Sequence, residues 1–212
     1  MSDDARTRIL DTALRSIHRA SYESVGVSAI AAEADVPKGS FYHWFSSKED
    51  LAVAVVDTFA LKGGALRREM FVADGRPALD RLAAYFRHVI AVHERENFRR
   101  GCLLGNLALE VSGQSEKIRE RVAQALDRWE KTMRALLVEA YTNGEMPPGL
   151  SPEDAAAFIL NGWEGALLRM KVARTARPLK LFMWIVFEHL LQVRSGTVPV
   201  RKKRPWRGAL RK

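Results

Sequence analysis

The residues of this chain that could do chemistry fall into two groups, one suited to hydrogen bonding and one built on sulfur. In the first, Lys38, Gly39, Ser40, Tyr42 and His43 share one short stretch, with Ser28 ahead of them and Lys48 behind. Ammonium, hydroxyl, phenol and imidazole groups crowded together are partners for phosphate oxygens and for the edges of bases. In the second group the single cysteine, Cys102, follows closely on Arg99 and Arg100. A thiolate adds to activated alkenes and reacts with oxidants, and a neighbouring cation lowers a thiol pKa. The same two arginines could instead hold the carboxylate of a small acid. Trp129, Trp163 and Glu164 are candidates to complete a pocket around them. Cys102 serves as well as a small buried hydrophobe, and Trp163 as plain core.

Other chemistry lacks residues to carry it. There is no His/Cys/Asp/Glu cluster at metal-ligand spacing, no glycine-rich phosphate loop and no serine nucleophile elbow, so no catalytic residue, metal or cofactor is expected. The enzymatic alternative is a helical thiol enzyme using Cys102. It needs an activating base, and the nearest histidines, His88 and His93, are spaced to lie on different helix faces.

The elements that must position these groups are helical nearly throughout, which predicts an all-α fold. Ile9, Leu10, Ala13, Leu14 and Ile17 recur at helical spacing after the acids Asp3 and Asp4. Ser28 reads as the N-cap of a short helix carrying Ile30, Ala31 and Ala34, and Pro37 interrupts before a third helix spanning Gly39 to Phe45. That pair, packed on the first helix, predicts a helix-turn-helix whose second member enters a major groove with Lys38, Gly39 and Ser40 deepest. Phe41, Trp44 and Phe45 are read as core anchors beneath it. Ser46 with Glu49, or Ser47 with Asp50, opens a long helix that should weaken at Gly63-Gly64. Pro77, Ser115 and Ser151 open later helices, and the last begins near Pro178. Its run Leu181 to Phe187 is apolar almost all round, as is the helix from Ala155 to Arg169, where Gly162 and Gly165 permit close approach. Helices of that kind bury two sides, one in their own core and one against a partner copy.

Charge is informative mainly through its placement. Residues 201–212 hold seven Lys/Arg, and without them the formal net charge falls from +9 to +2. Residues 1–50 carry six Lys/Arg against eight Asp/Glu, so bulk charge does not reveal the DNA-reading module. The basic tail fits either a phosphate-binding arm, which could even drive non-specific DNA coating, or a solvated terminus. One cysteine excludes an intrachain disulfide framework. No leader-like N-terminus or bilayer-length apolar run is present, and the expected compartment is the cytoplasm, with no membrane contact.

The ordered run Tyr22-x-x-Val25-Gly26-Val27, Ile30-Ala31, Val36-Pro37-Lys38-Gly39-Ser40-Phe41-Tyr42-His43, Phe45 and Ser47-Lys48-Glu49 resembles the DNA-binding signature of the TetR family of transcriptional regulators. The resemblance implies that Ser28 meets a phosphate and that Lys38, Ser40, Tyr42, His43 and Lys48 contact DNA. In one departure, Asp35 stands where the family usually has glycine; aspartate tolerates the left-handed backbone that the turn requires. Arg99 to Leu107 and Gly162 to Leu168 are similar to a subgroup answering acrylate or, through a cysteine, electrophiles. The implied organisation is a DNA-binding domain at 1–50, an effector-binding and dimerisation domain at 51–198 and a basic tail at 199–212. The implied protein is a homodimeric repressor, bound to double-stranded operator DNA and released by a small-molecule effector.

Overall fold

The computed structural model describes residues 2–193, so the basic tail lies outside the described residues. Within them the chain forms nine α-helices and no strand: α1 Ser2–Arg19, α2 Val27–Glu33, α3 Lys38–Trp44, α4 Lys48–Met70, α5 Ala78–Arg95, α6 Leu103–Val111, α7 Glu116–Thr142, α8 Pro152–Ala173 and α9 Arg177–Ile185, the last running into a π-helical turn, Val186–Leu190. The all-α expectation holds. None of these helices is long and apolar enough to cross a membrane.

Local sequence explains most helix starts. The hydroxyls of Ser47, Ser115 and Ser151 accept from the backbone N–H of Asp50 (3.0 Å), Ile118 (3.1 Å) and Asp154 (3.0 Å). Each satisfies a donor the helix cannot, worth about 1 kcal/mol. Of the two pairs considered for α4, Ser47 with Asp50 is the cap. The expectation for Ser28 was misplaced: Gly26 occupies the N-cap of α2, and Ser28 is exposed in the first turn. Nor does α4 weaken at Gly63-Gly64. A Cβ at Gly63 would lie 3.2 Å from Arg67 Nη1, so the glycine clears room for a side chain while packing on α1 and α7 holds the helix.

Helices α1 to α3 pack through Ile9, Ala13, Ile17, Ile30, Phe41 and Phe45, continuous with Leu51, Val55 and Val56 of α4. Beyond them α4, α5, α7 and α8 form the main layers. Phe86, Trp163 and Phe182 bind α5, α8 and α9 together, with ring centroids 4.7 to 5.3 Å apart. The fully buried Arg81 donates to the Phe71 carbonyl at 2.6 Å and pairs with Glu139, fixing the α4–α5 connection against α7.

Candidate effector cavity and DNA-reading face

The turn between α2 and α3 is closed by Val36 N–H donating to Ala31 O at 3.0 Å, with Asp35 left-handed at φ 52 as expected. The Arg8 guanidinium reaches the Asp35 carbonyl at 3.4 Å and ties the turn to α1. Phe41 and Phe45 are buried beneath α3, and Trp44 is half-buried against the same core. The opposite face leaves Lys38, Gly39, Tyr42 and His43 exposed and Ser40 half-buried. Lys48, at the start of α4, lies with Nζ 4.3 Å from the centre of the Tyr22 ring. A Cβ at Gly39 would meet nothing within 4 Å, so nothing inside the chain requires glycine there. A helix-interior glycine costs about 1 kcal/mol, and close approach by an outside molecule is what usually justifies it.

A cavity of about 370 Å³ lies among α1, α4, α5, α7 and α8 and the segment leading into α6. Its walls are largely apolar, but its polar groups are unusual. Arg67 of α4 is 7% exposed, sits 5.0 Å over the Trp129 ring and donates to the Tyr85 hydroxyl at 3.5 Å. Its Nε has no partner, and no carboxylate pairs with it among the described residues. The indole N–H of Trp163 and Nδ1 of His93 are likewise buried and unpartnered. Burial lowers the pKa of His93 and His18 and raises that of Tyr85. A buried cation without a counter-ion costs several kcal/mol, so this arrangement is balanced when something anionic joins it.

Of the residues singled out from sequence, Trp129, Trp163, Cys102 and Arg100 line this cavity and Arg99 does not. Glu164 lines a neighbouring cavity of about 330 Å³ that shares Gly101, Cys102 and Leu167 with the first. The expectation that arginines would acidify Cys102 fails. Burial, then the Glu164 carboxylate, push the thiol well up, and Arg100 is paired with Glu96. The thiol donates to Glu164, whose own pKa burial lifts to about 7. Gly105 permits that contact, since a Cβ there would lie 2.5 Å from Glu164 Oε2. His93 and His88 do both line the cavity, against the helical-face argument, although Cys102 takes Glu164 as its partner.

Sequence reasoning missed the residues that join the two halves. His18 of α1 lines the cavity and donates from Nε2 to the Gly101 carbonyl at 2.7 Å, beside Cys102. Glu110 of α6 accepts from the N–H groups of Tyr22 (3.0 Å) and Glu23 (2.7 Å). Ser115 donates to Glu49, and Lys117 pairs with Asp50, holding that carboxyl down to about 2. No local pattern marks His18, Arg67 or Glu110, because their partners are distant in sequence. Among the described residues no group of three or more His, Cys, Asp or Glu is placed to hold a metal.

An apolar stripe remains exposed on α8 and α9, and its residues Asn161, Gly165 and Leu168 also line the neighbouring cavity. Phe158, Leu168 and Val172 of α8 recur with Asn161 and Gly165 at helical spacing, beside Leu181, Trp184 and Ile185 of α9. Gly165 stands open on that stripe, whereas Gly162 is used internally, 3.3 Å from the Phe182 ring.

Comparison with known proteins agrees with this geometry. Residues 9–55 match the family model for bacterial regulatory proteins of the tetR family, and residues 78–186 match one for a tetracyclin repressor-like C-terminal domain. The repressor DhaR of a Mycobacterium species is 34% identical over 80% of this chain and 84% of its own. The transcriptional regulator AcuR of Cereibacter sphaeroides is 33% identical over 84% of this chain and 81% of its own. A crystal structure of a TetR regulatory protein from Rhodobacter sphaeroides superposes with a TM-score of 0.83 at 32% identity, covering 88% of this chain and 99% of that one. The reduced form of Escherichia coli NemR superposes with a TM-score of 0.77 at 27% identity, covering 87% and 96%.

Proposed function

The chain belongs to the TetR family of transcriptional regulators, and from that premise we propose a cytoplasmic homodimeric repressor, not an enzyme, released from its operator when a small anion fills the cavity at Arg67. The observation that carries this reading is the buried, unpaired Arg67 in a cavity whose wall includes His18 of the DNA-reading half. Lys38, Gly39, Ser40, Tyr42 and His43 present α3 to the major groove, and Ser28 and Lys48 meet flanking phosphates. The uncovered stripe on α8 and α9 pairs with its copy across a two-fold axis, setting the two α3 helices about one DNA turn apart, roughly 34 Å.

The effector is a short monoanion of the acrylate type, its head on Arg67, Tyr85 and Trp163 and its apolar body against the remaining wall. Occupancy perturbs the His18–Gly101 contact and favours a domain arrangement that no longer fits the operator. The neutral, buried Cys102 thiol favours reversible filling over covalent capture. A mobility-shift assay on a palindrome beside the protein's own gene, with a panel of short monocarboxylates including acrylate, tests this. Wild type should bind and be released; Arg67→Met should bind equally and ignore the panel. Failure to bind any such palindrome would remove the repressor reading, and an Arg67→Met protein that still responds would remove the anchor.

A further inference from the structure

The geometry points to a second ligand site, for a polyphosphate-bearing anion, in an arginine-lined trough at the joint between α1 and the α5–α6 turn. Arg15 and Arg19 of α1, Arg95 at the end of α5, Arg99 and Arg100 of the turn, and Arg174 beyond α8 converge on a depression of about 630 Å³. That size is within the range of small-molecule sites, roughly 300 to 1,000 Å³. The only carboxylates on its wall are Glu33 and Glu96, and both are engaged: Glu33 accepts from the Ser16 hydroxyl at 2.9 Å, and Glu96 pairs with Arg100. Among the described residues Arg19, Arg95, Arg99 and Arg174 have neither an ion pair nor a side-chain hydrogen bond. Several surface arginines elsewhere are paired, as in Arg76–Asp74, Arg119–Glu116 and Arg134–Glu153, while the unpaired Arg68, Arg87, Arg169 and Arg177 are not gathered on this trough. Concentrated like charge raises the local potential and attracts multivalent counter-ions.

The backbone sets the shape of the trough's edge. Of the four non-glycine residues at positive φ among the described residues, Arg174 (55) lines the trough and Asn97 (52) and Phe98 (57) stand just beside it. Together with Arg99 they form an adjoining hollow continuous in composition with the arginine trough. These left-handed residues end helices, Arg174 as the C-cap of α8 and Asn97-Phe98 directly after the C-cap of α5, and they fix the turns that carry Arg99 and Arg174.

Two alternatives fit less well. Operator DNA meets the other end of α1: the Arg6 guanidinium lies 5.5 Å from the Phe45 ring below α3, and Arg19 is thirteen residues further on. That is about 20 Å along a helix rising 1.5 Å per residue. The Arg67 cavity shares only Arg15, Glu96 and Arg100 with the trough, and Arg99 and Arg174 face away from it. A polyphosphate seated here spans α1 of the DNA-reading half and the α5–α6 turn of the other half, and clamps the joint through which His18 touches Gly101. Planar guanidinium groups bind phosphate oxygens in paired, charge-assisted hydrogen bonds, so several arginines on one wall favour a chain of phosphates over a single anion.

Isothermal titration of the full chain with tripolyphosphate, against sulfate at matched ionic strength, tests the site. We expect saturable binding with one tripolyphosphate per chain, weakened about tenfold or more in Arg19→Gln/Arg99→Gln. Lys202→Gln/Lys203→Gln removes the same charge from the tail and should leave binding unchanged, as should Arg67→Met. Equal binding of sulfate, equal loss in the tail variant, or a trough variant that loses operator affinity while keeping tripolyphosphate would each overturn the proposal. The last outcome would assign the arginines to DNA backbone instead.

Discussion

Replacing Glu164 with glutamine should change how the protein's stability depends on pH, by an amount the structure sets. The carboxyl lies beside the Cys102 thiol behind Gly105, with Oε1 unpartnered, and burial is the main cause lifting its pKa from 4.5 to about 7. At 1.36 kcal/mol per pKa unit the difference corresponds to about 3 kcal/mol. The sign follows from linkage. A carboxyl whose pKa is raised by folding favours the native state while protonated; that contribution is complete below 4.5 and is lost as the pH rises through about 7. Glutamine keeps the shape and accepts the thiol proton without ever ionising. The variant should therefore match wild type near pH 4.5 and exceed it by about 3 kcal/mol above pH 8, or by roughly 6 to 12 °C in melting temperature for a chain of this size. His18 and His93 run the other way. Their pKa values are lowered by burial, so their contribution is present above 6.5 and is lost as the pH falls. Both proteins contain them, so the difference between the two curves isolates Glu164. Urea unfolding of each protein at one fixed concentration, from about pH 5 to pH 8.5, measures it. Parallel curves would refute the argument, because they would mean the carboxylate is as well solvated in the fold as outside it.

Tyr42→Ala and Lys48→Ala should each weaken operator binding about tenfold or more, while sedimentation still reports a dimer. Unchanged affinity in either would mean the reading helix or its flank is misplaced. Leu168→Glu/Trp184→Glu puts like charges on two exposed positions of the α8–α9 stripe, at 49% and 52% relative exposure, and should yield folded monomers by sedimentation with operator binding lost. A variant that stays dimeric would move the interface elsewhere.

The DNA-reading half was largely legible because its determinants are local. Asp35 at φ 52, the buried anchors Phe41 and Phe45, and the caps at Ser47, Ser115 and Ser151 each act within about one helical turn of chain, where order in sequence is order in space. Ser28 shows the limit even there: a serine two residues before the buried pair Ile30-Ala31 can lie inside the first turn as easily as at the cap, and the backbone at Gly26 decided which. The sequence also separated the basic tail from a DNA module with no excess of positive charge, since charge can be counted without a fold.

The sensor was different. Trp129, Trp163 and Cys102 could be picked out by type, but whether a cation would acidify the thiol depended on what lies across the cavity. The answer was burial of the thiol first and Glu164, supplied by another helix, second, and together they reversed the sign. Arg99 and Arg100, adjacent in sequence, both line the open trough, but only Arg100 also reaches the cavity rim. Arg67 carries no mark in sequence that separates it from Arg68, yet the fold buries one and leaves the other exposed. Periodicity and capping are properties of a single helix, and sequence alone determines them. Burial, partnership and pKa are properties of several helices brought together, so only the tertiary structure decides them.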